Sequence, residues 1–470
     1  MRNRARPSRK PELLPAEKII VTNMRYAGAH LIVLGPLVSI AFGRWGSYLK
    51  IPGLPLFFAD LAVMIGIVLL LLGADERLSG VRRPHQRSQF RDSYSPASMV
   101  ALGSIMSICC VILGLTFGAG LQLFTIRDAM PFVYFALVPA FVYALQIIGS
   151  ARLIEWLSNA LIIHTIWVFP VMIGVLNPVQ IPIIGGTAAF TTRGDYDIFL
   201  CGLAIAVVIC DRRIGAFFTC AIVLANVIPM VLSGSRSGAI AGLIVVLVIS
   251  VLRRPFSKPV IGPVRLAATS AAAAIALPFV VIYAQKPPTW AVGIQKLLPR
   301  GSDTYESGQN TWNARVYAWG RLVNYTTDEP TRKYFGSGFG ANPVRESGAL
   351  QFLSGDPQVR AGHNVFVTWF SFLGVVGLIV AILALTCFAA ASFAAGKPIV
   401  LMTTLGRAMM AGILLTAIVG VILESPFGYM TFTLASAMAI ARPGPGPAVR
   451  GRSRPKIIEP NDVDRGLVCK

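Results

Sequence analysis

"NVFVTWFSFLGVVGLIVAILALTCFAAASF", residues 364–393, runs for thirty residues without a charged side chain. About 17–25 apolar residues suffice for a helix to cross a bilayer. Comparable windows recur along nearly the whole chain, at 27–43, 51–74, 99–123, 129–149, 156–176, 197–210, 214–232, 238–252, 266–284, 364–393, 398–423 and 426–441. Inside lipid, backbone groups find no water to bond, so each window must be a helix. The expected fold class is therefore all-α, a polytopic membrane protein with about 12 transmembrane helices. Composition agrees, since 55% of the 470 residues are hydrophobic, only 13% are charged and the mean hydropathy is +0.67. A soluble domain is excluded.

Orientation follows from Lys and Arg on alternate sides of the spans. With the N-terminus inside, 27 fall on the inner side and 14 on the outer, and nine of the outer ones lie in 285–363. Long loops translocate largely regardless of charge, so both termini are expected in the cytoplasm. The chain then divides into a basic N-terminal segment (1–26), spans one to nine (27–284), a large outer loop (285–363), spans ten to twelve (364–441) and a basic tail (442–470) rich in Pro, Gly and Arg that reads as disordered. No cleavable signal peptide is read, because the basic start reaches Arg25 before any apolar run. The net charge of +21 sits mostly in "MRNRARPSRK", "RLSGVRRPHQRSQFR" and "VRGRSRPK", which flank spans. That placement suits topology and anionic headgroups rather than nucleic acid. Six of seven cysteines (Cys109, Cys110, Cys201, Cys210, Cys220, Cys387) lie in or beside spans and Cys469 lies in the tail, so neither an outer disulfide framework nor a zinc spacing is read.

Long loops in compact architectures tend to carry function. In 285–363, "TWNARVYAWGRLVNY" has apolar residues near helical spacing, which predicts a helix over 311–324 that stops near Pro330, followed by a turn-rich "GSGFGANP". Three residues converge on the outer side in this topology. Arg236 sits in "VLSGSRSGAI" (231–240), between two apolar runs, where the turn leaves its guanidinium at or below the interface. Burial there costs about 2.5–3.5 kcal/mol unless the charge finds a partner. A guanidinium fork fits phosphate oxygens, with Ser235 and Ser237 as added hydroxyl donors, although a cation snorkelling to headgroups fits the same position. Arg315 carries the same pair of readings, with Trp319 one turn on. His363 stands where the loop enters span ten and titrates near neutrality, as a proton acceptor does, although a histidine satisfied at a helix N-terminus is the plainer reading.

"SGSRSG" before a span, "ARVYAWGRLV…FGSGFG" in the loop and "GHNVFVTWFSFLGVVGLI" opening the next span resemble, in that order, the O-antigen ligase and polymerase family. The resemblance covers about residues 185–395 with motifs and the rest by hydropathy. It implies an integral-membrane glycosyltransferase acting at the periplasmic face of the bacterial inner membrane, with undecaprenyl-diphosphate-linked glycan as donor and a lipid or saccharide as acceptor. No cofactor or metal is implied. By position, Arg236 and Arg315 match the diphosphate clamp and His363 the histidine near the acceptor hydroxyl. Arg193 in "FTTRGDYDIF" is a further substrate-binding candidate. The chain departs from the family where an acid often precedes the Gly after the His-Asn pair, since Phe372 and Leu373 precede Gly374 here. Glu424 in "LESPFGY" is the candidate acid or base in its place.

Asp195 and Asp197 have the D-x-D spacing of metal-dependent glycosyltransferases, but capping of the helix that follows explains them equally. A transporter or flippase of lipid-linked saccharides would place ionisable groups at mid-membrane on several helices and show repeats. Asp60, Glu155, His164 and Arg407 are the sparse intramembrane candidates, and no repeat is visible. A structural scaffold gives no reason for arginines at a buried edge.

Overall fold

The computed structural model describes residues 16–50, 57–73, 95–120, 122–181, 183–184, 188–210, 214–233, 235–252, 303–353, 359–394 and 401–441. Among them the regular structure is helical, with isolated β-bridges only. Among the described residues nine helices precede the loop: α1 (Ala16–Gly46), α2 (Phe58–Leu72), α3 (Pro96–Thr116), α4 (Leu123–Ala136), α5 (Val138–Ile148), α6 (Ser150–Met172), α7 (Gly194–Cys210), α8 (Ala216–Leu232) and α9 (Arg236–Leu252). The loop holds α10 (Asp303–Thr327), α11 (Pro330–Phe335), α12 (Pro343–Glu346) and α13 (Leu350–Leu353). After it come α14 (Val365–Ala394), α15 (Leu401–Ala417), a 3-10 turn at Ile422–Glu424, and α16 (Pro426–Ile440).

Two helices occupy the middle. Every residue of α16 is buried, as is every residue of α7 after Gly194, so both are enclosed on all sides, as expected of helices ringed by other helices. The peripheral α2 and α3 instead expose Leu71, Leu72, Ile105 and Ile112, each more than half accessible. Such a surface suits lipid and would aggregate in water.

Among the described residues four helices are long and apolar enough to cross a membrane, within Asn23–Gly46, Pro96–Thr116, Ser150–Met172 and Val365–Ala394, and a fifth arises if α4 and α5 form one broken span. The window 129–149 is this pair, bent by 51° at Leu137, with Pro139 opening the second member. Helices of 15–17 residues such as α2, α8 and α15 reach only about 23–26 Å, short of a ~30 Å core. The expected span at 266–284 lies outside the described residues, as do loop residues 285–302 and the tail.

The loop helix is longer than 311–324 and ends at Thr327, and Pro330 opens α11 rather than merely stopping its predecessor. "GSGFG" is more than a turn. α14 breaks at Gly374 (φ 64), and the carbonyls of Ser371 and Phe372, released near that break, accept from the backbone N–H groups of Ser337 (2.9 Å) and Gly338 (2.9 Å). Phe339 N–H donates to Gly114 O at the end of α3 (2.8 Å). The loop is thereby stitched into two membrane helices through its backbone. A Cβ at Gly338 would lie 2.2 Å from the Phe117 carbonyl carbon, so only glycine permits the approach.

Candidate functional site

One end of the bundle holds a cavity of ≈ 260 Å³ into which the ends of several helices point. Its wall includes Arg44, Arg127, Arg193, Arg360, His363 and Glu424, with Tyr48, Phe132, Trp369 and Phe427 among its aromatic members. Each side chain arrives by a local device. α1 breaks at Gly43 (φ 60), where a Cβ would sit 2.0 Å from Asp197 Oδ1, and the break delivers Arg44 at the helix end. Arg193 immediately precedes α7. Its backbone N–H donates to the Asp197 carboxylate and its Nε donates to Asp195 Oδ1 at 3.1 Å.

This arrangement explains the D-x-D pair. Asp197 is fully buried and also meets the Arg44 backbone N–H (3.4 Å) and His164 Nε2 (3.3 Å). Asp195 accepts from the Tyr196 N–H as well as from Arg193. Both carboxylates accept N–H groups at the start of α7, and Asp195 also pairs with the Arg193 guanidinium.

His363 is one of two non-glycine residues with positive φ among those described, at 60°. Such a conformation costs about 1–3 kcal/mol and persists only where neighbours impose it. The neighbours are visible. The Gly362 carbonyl accepts from Trp319 Nε1 (2.7 Å), the Gly362 N–H donates to Thr368 Oγ1 (2.8 Å), and Asn364 Oδ1 caps α14 through the N–H groups of Phe366 (3.0 Å) and Val367 (3.2 Å). Among the described residues the buried Nδ1 of the imidazole has no hydrogen-bond partner. Burial, joined by the charges of Arg193 and Arg315 and opposed by Asp195, pulls its pKa down to about 4, so it is neutral and able to accept a proton.

Glu424 lies in the turn before α16. Burial pushes its carboxyl up to about 8, while the Thr368 hydroxyl and Arg193 pull it partway back and Asp195 adds to the rise. Neither carboxyl oxygen makes a hydrogen bond of good geometry. A neutral carboxylic acid and a neutral imidazole thus face one cavity.

Arg315 stands behind this wall. Its Nη1 donates to Val419 O (2.8 Å), two residues before the cavity-lining Val421. Burial draws its pKa below the ordinary value, with Asp195 opposing and Arg193 adding, yet a guanidinium stays charged at neutral pH. The "SGSRSG" turn packs on the start of α7: Ser235 Oγ accepts from Gly238 N–H (3.4 Å), and a Cβ on Gly194 would meet Ser235 Cβ at 2.9 Å. Arg236 and Ser237 are the first two residues of α9, while the Arg236 side chain lies outside the described residues.

Arg193, His363 and Glu424 therefore share one cavity, Arg315 borders it, and Ser235 packs beside Arg193. Residues not anticipated from sequence complete it. Arg360 and Asp128 form a buried two-pronged ion pair (Nη2–Oδ2 2.6 Å, Nε–Oδ1 3.3 Å) that ties the loop to α4, and Asp128 Oδ2 also accepts from Gly340 N–H (3.1 Å). The partners are 232 residues apart, and no local pattern links them. Arg44 and Arg127 were visible only as outer-side cations.

Three of the intramembrane ionisable groups, Asp60, His164 and Arg407, are engaged with neighbouring side chains or backbone. Tyr134 donates to Asp60 Oδ1 (2.7 Å), His164 pairs with Asp197, and Arg407 donates to Ser392 O and lies over the Phe393 ring.

In comparisons with known proteins, residues 220–382 match the family model described as O-antigen ligase. The matched stretch contains Arg236, Arg315 and His363, whereas Arg193 and Glu424 fall outside it. No curated protein and no solved structure matches the chain. From α8 into α14 the chain is thus similar to the O-antigen ligase family, and its apolar helices fit an integral membrane protein.

Proposed function

We propose that the protein transfers a glycan from an undecaprenyl-diphosphate carrier to an acceptor hydroxyl at the periplasmic face of the bacterial inner membrane, with the loop 285–363 on that side. The observation that carries this reading is the juxtaposition in one cavity of His363, whose buried Nδ1 has no hydrogen-bond partner among the described residues, with the buried carboxyl of Glu424 and the guanidinium of Arg193. The acceptor oxygen attacks the anomeric carbon, its proton passes to the neutral imidazole of His363, and the C–O bond to the diphosphate breaks. Charge developing on the diphosphate is met by Arg193 and Arg315, and by Arg236 at the start of α9, with Ser235 and Ser237 nearby. Diphosphate leaves readily, so orientation and charge stabilisation supply most of what the protein must add. Residues at the starts of α7, α14 and α16 line the cavity, namely Arg193, His363 and Ser425, and helix N-termini favour anions. Glu424 serves as an acid or base, and in its neutral form it does not repel the diphosphate.

Ligation to a lipid acceptor and polymerisation of repeat units share this donor and clamp. Deleting the gene separates them: shortened surface polymer indicates a polymerase, and accumulated unattached lipid-linked polymer a ligase. The reaction itself is tested with purified protein in liposomes carrying undecaprenyl-diphosphate-linked glycan. Arg236→Ala, Arg315→Ala and His363→Ala are expected to insert normally and form no glycosidic bond. Product at the wild-type level from any of them removes that residue from the mechanism, and relocation of the glycan without a new bond favours a transporter.

A further inference from the structure

Charge pairing around the cavity leaves two cations over. Of the four arginines in its wall, Arg193 is paired with Asp195 at 3.1 Å and Arg360 with Asp128 at 2.6 Å. No carboxylate among the described residues pairs with the side chain of Arg44 or Arg127, and Asp197 meets only the backbone N–H of Arg44. Arg44 comes from the broken end of α1 and Arg127 from the start of α4, neither of them on the loop helix that carries Arg315. Tyr48, Phe132 and Trp369 line the same cavity. Unpaired guanidinium forks beside aromatic faces suit a sugar ring bearing an anionic group: the fork takes the oxygens, and the ring's apolar face stacks. Size narrows the ligand. At ≈ 260 Å³ the cavity falls below the roughly 300–1,000 Å³ of pockets for drug-sized molecules, so only the groups next to the reacting bond enter it and the rest of a glycan chain lies outside.

We propose that Arg44 and Arg127 form a subsite for an anionic sugar residue, one bearing a carboxylate or phosphate, beside the reacting centre. This rests on the reading of the chain as a glycan transferase and adds a substrate class to it. Donor and acceptor can each supply such a sugar, and both present the same chemistry.

The test uses the full chain in nanodiscs and three probes: undecaprenyl diphosphate, a glucuronic-acid trisaccharide, and the methyl ester of that trisaccharide. Wild type is expected to bind the acid at least tenfold more tightly than the ester. R44Q/R127Q should abolish that preference while undecaprenyl diphosphate affinity stays within twofold, which also shows that the variant is folded. R44Q alone should cost more than R127Q, because Arg44 is half-buried and Arg127 exposed. Equal binding of acid and ester by wild type overturns the subsite. So does an equal loss of undecaprenyl diphosphate binding in R44Q/R127Q, which would place both arginines in the diphosphate clamp. Repeating the titration with saturating undecaprenyl diphosphate identifies the source: trisaccharide binding that persists marks an acceptor, whereas binding that needs covalent attachment to the diphosphate marks a donor. If wild type fails to bind undecaprenyl diphosphate yet prefers acid to ester, the transferase reading falls and the subsite stands.

Discussion

Replacing Glu424 by Gln should flatten the pH dependence of diphosphate binding. The carboxyl's pKa is raised by burial to about 8, so its neutral form dominates below that pH and is lost as pH rises through it. Neutral acid outnumbers carboxylate about ten to one at pH 7 and is outnumbered about ten to one at pH 9. If only the neutral form admits the anion, affinity falls about tenfold over that interval, equivalent to ~1.4 kcal/mol. The premise is checked by Coulomb's law: two like charges about 7 Å apart at an effective dielectric of about 20 repel by ~2.4 kcal/mol, and a diphosphate brings more than one charge. Equilibrium binding of radiolabelled undecaprenyl diphosphate to protein in nanodiscs, from pH 7 to 9, measures the effect. Wild type should lose about tenfold, and Glu424→Gln should keep its pH 7 affinity throughout, because the amide cannot ionise. A wild-type profile that stays flat, or a Glu424→Gln profile that falls in parallel with wild type, refutes the placement of a titrating acid beside the anion.

Three further outcomes follow from the geometry. Asp128→Asn leaves the Arg360 guanidinium buried without its counter-charge, at a cost of ~3–5 kcal/mol, and pairing Asp128→Leu with Arg360→Met should recover much of it; thermal unfolding in detergent compares the three, and an unchanged midpoint for Asp128→Asn contradicts the buried pair. Gly338→Ala forces a Cβ onto the Phe117 backbone at a φ of 70° and should lower the midpoint by several degrees, so an unaltered midpoint means that the loop is not stitched between α3 and α14. Transfer should continue in EDTA, because the Asp195 and Asp197 carboxylates are engaged with Arg193, His164 and the start of α7; loss of activity restored by a divalent ion would reinstate the metal reading.

The apolar windows were legible because a bilayer imposes a length and a composition, and wherever the structure describes those windows it has helices in them. Helix breaks were not. Gly374 sits inside thirty uncharged residues, and what stabilises the break there is backbone pairing with Ser337 and Gly338, thirty-odd residues upstream. A window average cannot register a partner of that kind. The 51° bend between α4 and α5 was similarly hidden, since Pro131 and Pro139 both fall in a stretch apolar enough to pass as one span. His363 and Arg315 were legible because each is a polar residue in a recognisable local pattern. The Arg360–Asp128 pair joins two segments unrelated in sequence, and Arg44 owes its place to a glycine break that hydropathy alone does not distinguish from helix.

The arginines of the cavity also show why sequence spacing could suggest an anion site without describing it. Arg193 spends only Nε on Asp195, and Arg315 spends one terminal nitrogen on a backbone carbonyl. Each guanidinium is thus fixed by one bond of protein origin while other donors of its fork stay available to a ligand. Long side chains lose about 2 kcal/mol of rotamer freedom when ordered, and tethering takes that loss during folding rather than at binding. The same logic covers His363. Its positive φ is imposed by Trp319, Thr368 and the Asn364 cap, so the imidazole is held before any acceptor arrives. A site assembled in this way depends on contacts from α6, α7, α10 and α14 at once, and loosening any one of them should weaken transfer even where the arginines and the histidine are intact.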